Sequence, residues 1–152
     1  MEVRFPQVEG SSLSGTRHHL PGTLAGDLNL LLIAFRQWQQ SDVDTWVPVA
    51  EELSVDVPGF RAYELPVISQ VYGPVAGFID GGMRGGIPDP AVRESTITLY
   101  INRKQFLDDL RIPSVGDIVP MLVTPAGEIL WRTTGRRTDD AEQALREAIE
   151  RR

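Results

Sequence analysis

LLIAFRQWQQSDVDTWVP, residues 31–48, decides the reading of the fold. Its first residues complete an apolar run, LNLLLIAF, that shows no alternation, the pattern of a central strand covered on both faces. A polar stretch from Arg36 to Gln40 follows, and a helix is predicted over roughly residues 41–53. Ser41 suits its N-cap, and Asp42 and Asp44 fall in the first turn, where the helix dipole favours acids. Val43, Val47, Ala50 and Leu53 then recur at helical spacing. Pro48 lies inside this segment, where a missing N–H and a ring clash should kink it.

Upstream, VRFPQV and TRHHL around the turn-like EGSSLSG predict an N-terminal β-hairpin, and LPGTLAGD a loop. Downstream, FRAYELPVIS reads as a strand with Pro66 weakening its end. VYGPVAGFIDGGMRGGIPDP holds six glycines and three prolines in twenty residues, which predicts a loop with one short helix near 76–83. STITLYI alternates Ile97, Leu99 and Ile101 with Thr and Tyr and is a strand. NRKQFLDDLRI is a helix capped by Asn102, with Phe106, Leu107 and Leu110 facing inward.

MLVTPAGEILWRTTG places two short strands around TPAG, with Pro125 and Gly127 where a type I turn prefers them. DDAEQALREAIERR is the last helix, with Asp139 and Glu142 in a capping-box pattern and Ala141, Leu145, Ala148 and Ile149 on one face. Strands alternating with helices define an α/β chain: a mixed sheet with helices packed on both faces. The 152 residues fit a single domain spanning 1–152.

Composition narrows the function. A net charge of −6 opposes nucleic acid and anionic membrane surfaces, both of which require a basic face. The absence of cysteine removes disulfides, thiolate nucleophiles and thiolate zinc sites, so thiol-dependent redox chemistry is excluded. No secretory signal pattern opens the sequence and its longest apolar run is too short to span a bilayer, so a cytoplasmic location is expected.

The order of elements resembles the thioredoxin-like superfamily, in particular its peroxiredoxin-like branch. FPQVEGSSLSG followed by LPGTLAGDLNLLLIAF is similar to the opening of that branch, where a hairpin precedes the first central strand. The resemblance implies a thioredoxin-like three-layer α/β/α sandwich. It also fixes a register. The family's first cysteine follows the strand's last Phe by five residues, which from Phe35 gives Gln40; the second, three further on, gives Val43. The family's helix proline lies eight residues after the first cysteine, and Pro48 stands there. VPMLVTPAGEILWRTTGR looks like the family's last hairpin, making Pro120, after Val119, a candidate for the cis-proline that faces the thiol loop. A fainter similarity is to thioredoxin-like assembly factors of the mitochondrial ATP synthase.

On this register the candidate groove comprises Arg36, Trp38, Gln40, Val43, Val119 and Pro120. Trp38 is a candidate partner anchor; packing is the plainer reading of any Trp. Gln40 and Ser41 can be read as no more than satisfying helix-end donors. A second candidate is the Gly-rich loop 77–93, where Asp80, Arg84, Asp89 and Arg93 stand among paired glycines and two arginines could hold a carboxylate or phosphate. It matches neither a P-loop nor a dinucleotide fingerprint. His18 and His19 are adjacent and on a strand would point to opposite faces, so no metal site is expected, and no cofactor. No catalytic constellation is readable.

The expectation is therefore a redox-inactive thioredoxin-like module that binds a protein or peptide in an assembly or chaperone-like role. A small-molecule binder or non-thiol enzyme using loop 77–93 is the alternative, and a catalytically dead subunit of an oligomer, such as a homodimer, is a third.

Overall fold

The structure, a computed structural model, describes residues 3–69 and 95–151. The Gly-rich loop, with Asp80, Arg84, Asp89, Arg93 and the short helix expected near 76–83, lies outside the described residues.

The strands are β1 (Val8–Ser12), β2 (Arg17–Leu20), β3 (Leu28–Ala34), β4 (Phe60–Ser69), β5 (Ile97–Ile101), β6 (Val119–Val123) and β7 (Ile129–Arg132). They form one mixed sheet in the order β2-β1-β5-β4-β3-β6-β7. β3, β4 and β5 run parallel; β1, β2, β6 and β7 join antiparallel. The helices are α1 (Gln40–Asp44), α2 (Val47–Asp56), α3 (Arg103–Leu110) and α4 (Asp139–Glu150).

β3 is central, between β4 and β6, and every residue from Leu28 to Ile33 is buried. Its alternation feeds two cores. Leu31 and Ile33 pack with Phe106 and Leu110 of α3 and with Phe5, Leu20 and Leu24 of the N-terminal segment. Leu28, Leu30 and Leu32 pack with Val43 of α1, Val49 and Leu53 of α2 and Leu145 of α4. Helices therefore cover both faces, in a three-layer arrangement. Asn29, the polar residue in the run, is fully buried because its amide is satisfied. It bonds the backbone of Gly26 in both directions, at 3.0 and 2.8 Å, and donates to the Val123 carbonyl at 3.2 Å.

Several local expectations are corrected. The helix after β3 is two helices. Trp46 is the N-cap of α2, which puts Pro48 in that helix's first turn. A proline there loses no needed hydrogen bond, whereas in a continuous helix its ring would clash with the carbonyl of Asp44. The chain accordingly tightens, with Thr45 N–H bonding Asp42 O and Trp46 N–H bonding Val43 O, before α2 begins. Ser41 is not the cap of α1; Gln39 stands there, after a single 3₁₀ turn over Gln37–Gln39.

The first hairpin strand is Val8–Ser12 rather than VRFPQV, because Gly15, at φ +91°, turns the chain and donates to Ser12 O at 2.9 Å. The VRFPQV segment instead sends Phe5 into the core and bonds its N–H to Gly127 O. Pro66 does not end β4: it pairs with Ala34 at the end of the β3 ladder, and the next three residues pair with β5. Thr138, not Asp139, caps α4, accepting from Ala141 N at 3.1 Å, while Glu142 binds Arg137 and Arg146.

Asn102 does cap α3, accepting from Gln105 N at 3.1 Å. The TPAG turn also forms, with Gly127 N–H bonding Thr124 O at 2.9 Å.

Candidate functional site

At the C-terminal end of β3 the chain must leave a fully buried strand and reach α1. Gln39 organises that exit. Its side chain is fully buried. Its carbonyl oxygen accepts from the N–H groups of Phe35 (2.8 Å) and Arg36 (3.1 Å), and its amide nitrogen donates to the Val115 carbonyl at 2.7 Å. The loop after β3 is thus tied to itself and to the segment that leads into β6. Trp38, between two polar residues of this tied loop, stands 64% exposed.

The predicted groove residues separate by depth. Arg36, Trp38 and Gln40 are exposed, while Val43 and Val119 are each 1% exposed and Pro120 is buried. Val119 and Pro120 pair with Ile33 and Leu32 in the sheet. The buried three underlie the loop; only the exposed three can touch another molecule. Val119–Pro120 is not a cis bond, since Leu20–Pro21 is the cis peptide among the described residues. Pro120 is held instead within β6, where its carbonyl accepts from Thr133 N.

Gln40, at the first thiol position of the register, donates to Asp44 Oδ1 at 2.9 Å and is also hydrogen-bonded to Glu64. Glu64 lies on β4, half-buried, and its carboxyl is held above the usual carboxylate range. Burial is the main cause and the nearby charge of Asp44 adds to it, while the bond from Gln40 opposes both. The Gln40 side chain is thus an amide set between two carboxyls. Such a group can hydrogen-bond a partner but has no nucleophile or redox couple.

Sequence reading missed Gln39 and Glu64. Gln39 stands beside Gln37 and Gln40 with the same chemistry, and only the fold selects which of them turns inward. Glu64 gave a signal, being the one charge in AYELPVIS, a stretch otherwise suited to a buried strand.

Elsewhere, His18 Nδ1 lies 3.2 Å from Thr23 Oγ1 and His19 Nδ1 lies 3.6 Å from Glu9, so the adjacent histidines serve different neighbours. Among the described residues, no three His, Asp or Glu side chains gather as metal ligands would, and no helix is long and apolar enough to cross a membrane.

No family model matches the chain, and no curated protein sequence does. Solved structures do. BsSco, a member of the Sco family of cytochrome c oxidase assembly proteins, is similar over 100% of this chain and 96% of its own, with a TM-score of 0.66 at 13% identity. A thiol:disulfide interchange protein from Bacteroides sp. covers 97% of this chain and 88% of its own, at TM-score 0.61 and 18% identity. A thioredoxin-like protein from Aeropyrum pernix covers 96% and 89%, at TM-score 0.58 and 13% identity. The fold is thioredoxin-like. These likenesses carry the fold alone and do not select the peroxiredoxin-like branch.

Proposed function

We propose that this chain is a binding module on a thioredoxin-like frame, working without thiol chemistry. The observation that carries the reading is Trp38, presented to solvent by a loop that Gln39 fixes from beneath. A large aromatic side chain held on a preorganised loop loses little freedom on binding, the property of an interface anchor. The chain has no cysteine, so whatever this loop does it does without a thiol. A protein or peptide partner, in an assembly or chaperone-like role and in the cytoplasm, fits this arrangement. BsSco, one of the structurally similar proteins, belongs to a family of assembly proteins, which agrees with such a role.

The test is crosslinking and affinity capture with the intact chain and its Trp38→Ala variant, alongside peroxide and disulfide reduction by the isolated protein. A specific partner lost in Trp38→Ala, with unfolding unchanged, supports the reading. Capture indifferent to Trp38, or measurable reductase activity, overturns it.

A further inference from the structure

α3 begins directly after β5, at the end of the sheet where the three parallel strands finish, the end at which open α/β sheets bind ligands. Between the first turn of α3 and the segment 113–115 lies a cleft of about 560 Å³. Leu107, Pro113 and Val115 give it an apolar floor, and Arg103, Lys104 and Ser114 a polar rim. Val115 is the residue whose carbonyl receives the Gln39 amide, so one wall of the cleft is tied to the loop that carries Trp38.

Its electrostatics run against those of the molecule. The chain carries −6 overall, yet Arg103 and Lys104, the only lysine, form no ion pair among the described residues. Arg137 and Arg146 are by contrast each bound to two carboxylates. Asn102 occupies the N–H of Gln105, and Arg103 and Lys104 are the first two residues of α3, at the positive end of its dipole. Ser114 Oγ accepts from Gly116 N and keeps its own proton to donate. Within α3 the acids are Asp108 and Asp109, a turn or more along the helix from Arg103 and Lys104. Asp109 already accepts from Gln105.

We propose that this cleft docks an acidic segment of a partner protein, with a carboxylate against Arg103, Lys104 and the start of α3 and an apolar side chain on Leu107 and Val115. The proposal rests on the binding-module reading and names its partner's chemistry. A long polyanion is disfavoured by the chain's net charge of −6, whereas one or two carboxylates beside an apolar residue match both the cleft's charge and its apolar lining.

The test uses the full ¹⁵N-labelled chain and two probes, acetyl-Asp-Leu-Asp-Leu-amide and acetyl-Asn-Leu-Asn-Leu-amide. The acidic probe is expected to shift the amides of Arg103, Lys104 and Val115, with affinity falling about tenfold in Arg103→Gln, Lys104→Gln and declining with salt. Equal shifts from both probes, or none from either at millimolar concentration, overturn the proposal. Partner capture in the same double variant separates the two readings. Capture that needs Trp38 but not Arg103 and Lys104 overturns the acidic partner and leaves the binding module standing; capture indifferent to Trp38 overturns the module itself.

Discussion

The amide nitrogen of Gln39 donates to the carbonyl oxygen of Val115 at 2.7 Å, across 76 positions of sequence, and so joins the loop after β3 to the segment before β6. The same side chain holds the Phe35 and Arg36 N–H groups, so three backbone groups, one buried and two part-buried, depend on one amide. Gln39→Ala leaves them without protein partners, and a loss of about 2–4 kcal/mol is expected. Urea unfolding gives the energy. Hydrogen exchange gives the location: the Phe35 and Arg36 amides should lose protection well beyond the global change. Unaltered protection at those two positions would show that the tie does not hold the loop.

Gly10 makes a sharper steric prediction. A Cβ there would stand 2.6 Å from Leu99 Cδ2, 2.8 Å from Ile97 Cγ2 and 2.9 Å from the Thr98 carbonyl oxygen. One of those neighbours is backbone and the other two are core side chains, so nothing yields cheaply. Gly10→Ala should cost about 1–3 kcal/mol in thermal or chemical unfolding. Gly22 is the control, since its nearest neighbour would be the His19 carbonyl oxygen at 3.7 Å. Gly22→Ala should stay within about 0.5 kcal/mol.

These two residues show what the sequence made legible. The apolar run of β3, the Asn102 cap and the TPAG turn each follow from local chemistry, and each formed where expected. Gly10 was indistinguishable from a turn glycine, because its role depends on β5, whose Ile97 and Leu99 side chains close on it from some 87 residues or more away. The α4 cap went to Thr138 over Asp139 for a similar reason: Arg137 draws both Asp139 and Glu142 to itself, which leaves the threonine hydroxyl for the helix end. Of the groove, a register for Gln40, Val43 and Pro48 was readable along the chain only through the resemblance to a known family. Which side chains reach the surface was not, since depth is set by the sheet's pairing with β6.

The tryptophans provide a contrast within one protein. Trp46 is fully buried, donates to the Gly135 carbonyl at 3.2 Å and meets Trp131 edge-on at 5.8 Å between ring centres. Trp46→Ala should cost about 3–5 kcal/mol. Trp38→Ala should change stability by less than about 0.5 kcal/mol, because its ring faces solvent. Iodide quenching of the native fluorescence offers an independent check: most of the accessible emission should vanish in Trp38→Phe. Strong destabilisation by Trp38→Ala would mean that the ring is packed and would remove the anchor.

Glu64 gives the pH dependence a sign. Its folded-state pKa is raised, chiefly by burial, above an ordinary value of 4.5. The native protein therefore holds this proton more tightly than the unfolded chain does. That contribution to stability is complete below the unfolded value and is lost as the pH rises through the folded one; above it the half-buried carboxylate is a fixed penalty. Glu142 acts oppositely. Its bonds to Arg137 and then Arg146 lower its pKa, so its stabilisation is present at neutral pH and fades on acidification. Glu64→Gln isolates the first effect, because Glu142 is common to both proteins and the amide keeps a hydrogen-bonding group beside Gln40. The variant's advantage in urea midpoint should be smallest near about pH 4, grow as the pH rises, and level off once Glu64 is fully ionised in the native parent. A difference that stays flat from about pH 4 to 8 would mean that water or a cation reaches Glu64 and offsets its burial.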